Sequence, residues 1–61
     1  MRKILEKYCT KQTENKYKFN SENVYITNSN IVYFIENDKV RLFEDSPEIL
    51  ELCFMNKLNL I

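Results

Sequence analysis

Four carboxylates, Glu44, Asp45, Glu48 and Glu51, form the densest group of chemically capable side chains in this 61-residue chain. Carboxylates this close in sequence could act as a general acid–base pair or hold a hard cation. Their surroundings favour a structural role. Ser46-Pro47-Glu48 reads as the start of a helix, with Ser46 as N-cap and Pro47 at the first helical position. Asp45 and Glu48 then flank the positive end of the helix dipole, and Glu51 lies one turn further on.

The remaining catalytic repertoire is thin. The chain has no His, which removes His-based acid–base catalysis, nucleophilic triads and His-ligated metals. It has no Gly, so neither a phosphate-cradling loop nor a dinucleotide-binding fingerprint can be written. The two cysteines, Cys9 and Cys53, lack the close Cys pairs of a zinc site and are expected as free, buried thiols. These absences point away from an enzyme, and no metal or cofactor is expected.

A second group with chemical potential is basic. Lys3, Lys7, Lys11, Lys16 and Lys18 are interleaved with Tyr8, Tyr17 and Phe19, a mixture of cations and stacking rings that suits single-stranded nucleic acid. Residues 1–18 carry six basic and two acidic side chains, so this end is electropositive. Residues 19–38 carry three acidic groups and no basic one. The whole chain is nevertheless neutral and contains only two Arg, whereas phosphate binding normally leaves a basic excess. Nucleic-acid binding through the basic N-terminal segment is therefore the alternative reading.

The elements that must position these groups follow from periodicity. Ile4, Leu5, Tyr8 and Cys9 make one stripe of a short N-terminal helix over residues 2–9. The polar run from Thr10 to Lys16 reads as a fraying end and loop, with a brief strand around Tyr17 and Phe19. Three firmer strands follow at Asn23–Thr27, Ile31–Glu36 and Lys39–Phe43, rich in β-branched and aromatic residues. Tight turns need positive φ, and without Gly that role falls to Asn28, Asn30 and Asn37. A C-terminal helix runs from Pro47 to Asn56 or Leu58, with Ile49, Leu50, Leu52, Cys53, Phe54, Met55 and Leu58 spread around its circumference. The expected fold is one α+β domain over residues 1–61: a short N-terminal helix, a three-stranded antiparallel meander (four-stranded if Tyr17–Phe19 joins), and a C-terminal helix packed on the sheet.

Register decides which strand face is core. A two-residue loop at Asn37-Asp38 pairs Glu36 with Lys39, Ile35 with Val40 and Tyr33 with Leu42. An even-length loop through Asn28 to Asn30 would put Val24, Ile26, Ile31, Tyr33, Ile35, Val40 and Leu42 together as the core face. The opposite face would then carry Tyr25, Thr27, Val32, Phe34, Arg41 and Phe43, too apolar for ordinary solvent exposure and in need of cover.

The functional expectation is a small, non-catalytic protein-binding regulator or inhibitor acting on a larger protein. Its expected anchors are Tyr25, Phe34, Arg41 and Phe43 on the sheet, with Phe54 and Met55 on the C-terminal helix as a competing patch. A self-associating structural subunit, such as a homodimer, would use the same surface. Usage is skewed towards residues with AT-rich codons, with eight Asn, seven Lys and no Ala, which suggests a phage or other mobile element in an AT-rich genome. No run approaches the ~20 apolar residues of a membrane span. Glu6 and Lys7 interrupt any signal-peptide core, so a cytoplasmic location is expected.

Overall fold

The computed structural model describes all 61 residues, in the order α1 (Arg2–Tyr8), β1 (Thr10–Thr13), β2 (Lys16–Phe19), β3 (Glu22–Ile26), β4 (Ile31–Glu36), β5 (Lys39–Glu44) and α2 (Pro47–Lys57). The fold is α+β, with a five-stranded antiparallel sheet in sequential order between an N-terminal and a C-terminal helix. Three or four strands were therefore too few. The additional strand, β1, lies in the polar run expected to be loop. Every side chain of β1 is exposed, so no hydrophobic alternation announces it. Its register with β2 shifts between Lys11 and Thr13, a bulge around Gln12.

Both helices pack on the same face of the sheet. Leu5 of α1 and Leu50, Cys53 and Phe54 of α2 join Tyr17, Phe19, Val24, Ile26, Val32, Phe34 and Phe43 in one core cluster. Phe54 is its centre: the ring lies 4.8 Å from Phe19, 5.7 Å from Tyr8 and 6.2 Å from Phe34, centroid to centroid. Aromatic pairs at such separations add to the burial of their area.

The β4–β5 register is as expected, with Glu36 opposite Lys39, Ile35 opposite Val40 and Tyr33 opposite Leu42. The β3–β4 register is not. Tyr25 pairs with Tyr33 and Ile26 with Val32. The connection is an odd, three-residue loop, Asn28-Ser29-Asn30, in which Asn30 N–H donates to the Thr27 carbonyl at 3.0 Å and Asn30 adopts φ 65°. A turn closed by a left-handed residue is the usual three-residue hairpin connection. The odd count moves Val24 and Ile26 onto the face of Val32, Phe34 and Phe43. The expected core was therefore inverted on β4 and β5: Ile31, Tyr33, Ile35, Val40 and Leu42 lie on the face away from the helices.

Asn and Asp replace Gly at every left-handed position: Asn20, Asn30, Asn37, Asp38, Asp45 and Asn59 all have positive φ. Asn28 does not, contrary to expectation. Asn37 and Asp38, at φ 53° and 63°, form the two-residue β4–β5 turn whose twist matches the strands. Asn59 ends α2: Leu60 N–H donates to the Met55 carbonyl and Asn59 N–H to that of Asn56, the paired bonds of a Schellman cap. At the other end Ser46 occupies the N-cap position, but its side chain makes no capping hydrogen bond.

Tyr17 is fully buried with its hydroxyl unpaired. A buried donor without a partner forfeits its hydration energy, so Tyr17→Phe is expected to stabilise the fold by about 1 kcal/mol. Urea titration of the two proteins checks this; a less stable Phe variant would mean that the hydroxyl has a partner in solution.

Candidate functional site

The face of the sheet away from the helices is the most distinctive surface of the molecule. Strand alternation places Ile31, Tyr33 and Ile35 of β4 beside Val40 and Leu42 of β5 and Tyr25 of β3. Ile35, Val40 and Leu42 are 65%, 66% and 53% exposed. The Tyr25 and Tyr33 rings stack at 5.2 Å. This apolar tract is on the order of 14 Å long and three strands wide. An antiparallel sheet normally turns polar side chains to solvent, and a contiguous apolar tract marks a contact surface.

The tract has a charged border. Lys16 lies directly opposite Tyr25, and Lys18 opposite Asn23, on the same face at the β2 side. Glu44, opposite Ile31, borders it at the β5 side. The surface therefore offers apolar contact over β3 to β5 and positive charge along β2.

The sequence-derived candidates divide sharply. Phe34, Phe43 and Phe54 are 2%, 3% and 0% exposed, so they are core residues and cannot serve as surface anchors in this fold. Met55 is half-buried on α2. Arg41 is exposed on the helix side of β5, where it donates to Glu36 at 3.0 Å and lies 5.2 Å from the Phe43 ring centroid. Tyr25 alone of the six is on the open face. The missed residues are Ile31, Tyr33, Ile35, Val40 and Leu42, and the odd length of the Asn28–Asn30 loop was the signal that could have found them.

The five lysines do not converge. Lys16 and Lys18 share the open face, while Lys3 and Lys7 are on α1 and Lys11 is on the helix-side parity of β1. Lys7 is paired with Glu51 at 2.9 Å and Lys11 with Glu14 at 2.8 Å. The carboxylates are likewise separated: Glu51 accepts from Lys7 and from the Tyr8 hydroxyl at 2.9 Å, while Glu44 faces the open side. No group of three or more His, Cys, Asp or Glu side chains is placed to hold a metal ion. Glu22, Asn23, Glu36, Asp38 and Lys57 line an open cleft of about 500 Å³ where the start of β3 parts from the end of β4.

Glu36 links the β4–β5 hairpin to α2. It accepts hydrogen bonds from Lys57 and Arg41, which hold its carboxyl below the usual glutamate value. A carboxylate with a lowered folded-state pKa adds stability that is fully present above its unfolded value of 4.5 and is lost as pH falls through the lower folded value. Glu36→Gln is thus expected to be less stable than the parent at neutral pH, with the difference shrinking as pH falls below 4.5 and gone only beneath the lower folded value. Denaturation curves across that range check this; a constant difference would remove Glu36 as the cause.

Both cysteines are free. Burial pushes the Cys9 thiol up to about 11 and raises Cys53 as well, so neither is poised as a nucleophile at neutral pH. No helix is long and apolar enough to cross a membrane. No protein-family model, curated protein or solved structure matches the chain, and the geometry of its surfaces carries the functional reading.

Proposed function

We propose that this chain is a small, non-catalytic protein-binding regulator or inhibitor that covers a surface of a larger protein with the open face of its sheet. The carrying observation is the exposed tract of Ile35, Val40 and Leu42 beside the stacked Tyr25 and Tyr33. Aromatic anchors within an apolar centre and a polar rim are the usual anatomy of a protein interface. Lys16 and Lys18 select the partner's chemistry: an apolar patch bordered by carboxylates. The reading is a refinement of the sequence-based one, with Tyr25 retained as an anchor and the five open-face residues replacing Phe34 and Phe43. A mobile-element origin and a cytoplasmic host target belong to the same proposal, the first resting on composition and the second on Glu6 and Lys7 interrupting any signal-peptide core.

The test is capture of a protein from native-host lysate by the immobilised chain and by an Ile31→Thr/Ile35→Thr variant. Threonine keeps β-branching and strand propensity while removing apolar contact. The captured protein is expected to be lost from the variant and to survive added salt. Equal capture by both proteins would overturn the open face as the binding surface.

One observation favours a second reading. The stacked tyrosines lie beside Lys16, which gives the open face a base-stacking pair next to a phosphate-binding cation. Single-strand binding that falls steeply with salt and disappears in Lys16→Gln/Lys18→Gln would select this reading over the first.

A further inference from the structure

The two edges of the sheet are unlike. β1 is four residues long, wholly polar and interrupted by a bulge, the features that protect an edge from pairing. β5 is six residues long and in unbroken register with β4, with neither Pro nor bulge. In a two-residue hairpin the residues flanking the turn form a hydrogen-bonded pair, and such pairs recur at alternate positions. Lys39, Arg41 and Phe43 therefore bond to β4, while the N–H and C=O groups of Val40, Leu42 and Glu44 point to the free edge. None of the turn, loop or cap hydrogen bonds reaches these three residues.

We infer that the β5 edge pairs antiparallel with β5 of a second copy of this chain, about a two-fold axis at Leu42, joining two sheets into one. The occupant is selected by charge. Lys39 and Arg41 occupy one half of the strand and Glu44, followed by Asp45, the other. Antiparallel self-pairing sets the basic half against the acidic half of the second copy, whereas parallel pairing would set like against like. An axis at Leu42 keeps the helix face and the open face each continuous across the junction. It matches Leu42 with Leu42 of the second copy, and Val40 with Glu44 of the second copy, so all three free-edge residues are satisfied. It also places Arg41 opposite Phe43 of the second copy, extending the contact between a guanidinium and a ring that already exists within one chain. An axis at Arg41 instead would oppose two guanidinium groups and leave Glu44 without a strand residue to pair with.

Strand pairing alone falls short of the roughly 800 Å² that each partner contributes to a stable interface. The flank of α2 adds to it. Ile49 and Leu52 are 55% and 52% exposed and, with Arg41, Cys53 and Ile61, line a groove of about 370 Å³ beside β5. The two-fold axis brings α2 of the second copy alongside this groove, which accounts for an α2 that is apolar on more than its core side.

This inference rests on the backbone of β5 and the flank of α2 and shares with the open-face reading only the side chains of Val40 and Leu42, so Ile31 and Ile35, which lie outside the β5 edge, separate the two. Sedimentation equilibrium from low to high micromolar concentration is expected to show a monomer–dimer equilibrium. Amide exchange followed by NMR over the same range is expected to slow at Val40, Leu42 and Glu44, while Arg41 and Phe43 are protected throughout. Leu42→Lys opposes two ammonium groups at the axis and is expected to weaken dimerisation by roughly tenfold or more. Ile31→Thr/Ile35→Thr is expected to dimerise like the parent. A monomer at every concentration would overturn the inference. So would a dimer whose Val40, Leu42 and Glu44 amides exchange as in the monomer, or one lost in Ile31→Thr/Ile35→Thr, which would place the contact on the open face. The exchange measurement uses the unmodified protein and does not depend on any variant folding.

Discussion

Phe54→Ala is expected to remove a large share of the protein's stability. The ring is fully buried and meets Tyr8, Phe19 and Phe34, so its removal empties the point where both helices and the sheet converge. Deleting a buried Phe costs about 3–5 kcal/mol in lost transfer energy and cavity formation. A domain of 61 residues has a total stability of roughly 3–9 kcal/mol, so the loss takes about a third of it or more. Circular dichroism and urea unfolding measure it directly. A variant that keeps a cooperative transition with a loss below about 1 kcal/mol would show that Phe54 is not the core centre. Leu52→Ala, on the exposed side of the same helix, is the matched control and is expected to have little effect on the monomer.

Phe34→Asp and Ile35→Asp, at neighbouring positions, should have opposite outcomes. Phe34 is 2% exposed on the helix face and Ile35 is 65% exposed on the open face. Aspartate at 34 leaves a cavity and strands a carboxylate in an apolar core, a combined loss of more than about 4 kcal/mol. Aspartate at 35 meets solvent and costs only strand propensity, within about 1 kcal/mol. A folded Phe34→Asp beside an unfolded Ile35→Asp would restore the even-loop register and invert the sheet. Thermal unfolding of the pair therefore tests the face assignment on which the functional proposal stands.

The same two residues show where sequence patterning reaches its limit. Period-two alternation on β4 separates Ile31, Tyr33 and Ile35 from Val32 and Phe34 without ambiguity, because successive strand side chains point to opposite faces. It ranks the two sets only if one is polar, and here both are apolar. Choosing between them depended on the parity of a loop. Asn37-Asp38 was legible because two residues with left-handed tolerance between strands admit one register. Asn28-Ser29-Asn30 was less so, since an even and an odd loop differ by a single residue and reverse the partner strand. β1 was invisible for another reason: it buries no side chain, and its pairing with β2 is a backbone interaction that side-chain patterning does not encode.

The lysines and carboxylates teach a related lesson about sites. Lys7 and Glu51 are 44 residues apart in sequence yet form one ion pair, because α1 and α2 share a face of the sheet. That pairing removes one member from the basic group and one from the acidic group, so two sequence clusters become a helix–helix contact.

What the sequence determined by itself was local: two helices, the strands whose side chains alternate, the β4–β5 register, and Asn as the substitute for Gly at tight turns. These follow from residue type and short-range spacing, which act before distant parts of the chain meet. The tertiary structure decided which apolar face is core and which is left open, because that choice requires α1 and α2 to dock. Once Leu5, Leu50 and Phe54 cover one side of the sheet, both helices are committed to that side, and Ile35, Val40 and Leu42 are left as surface.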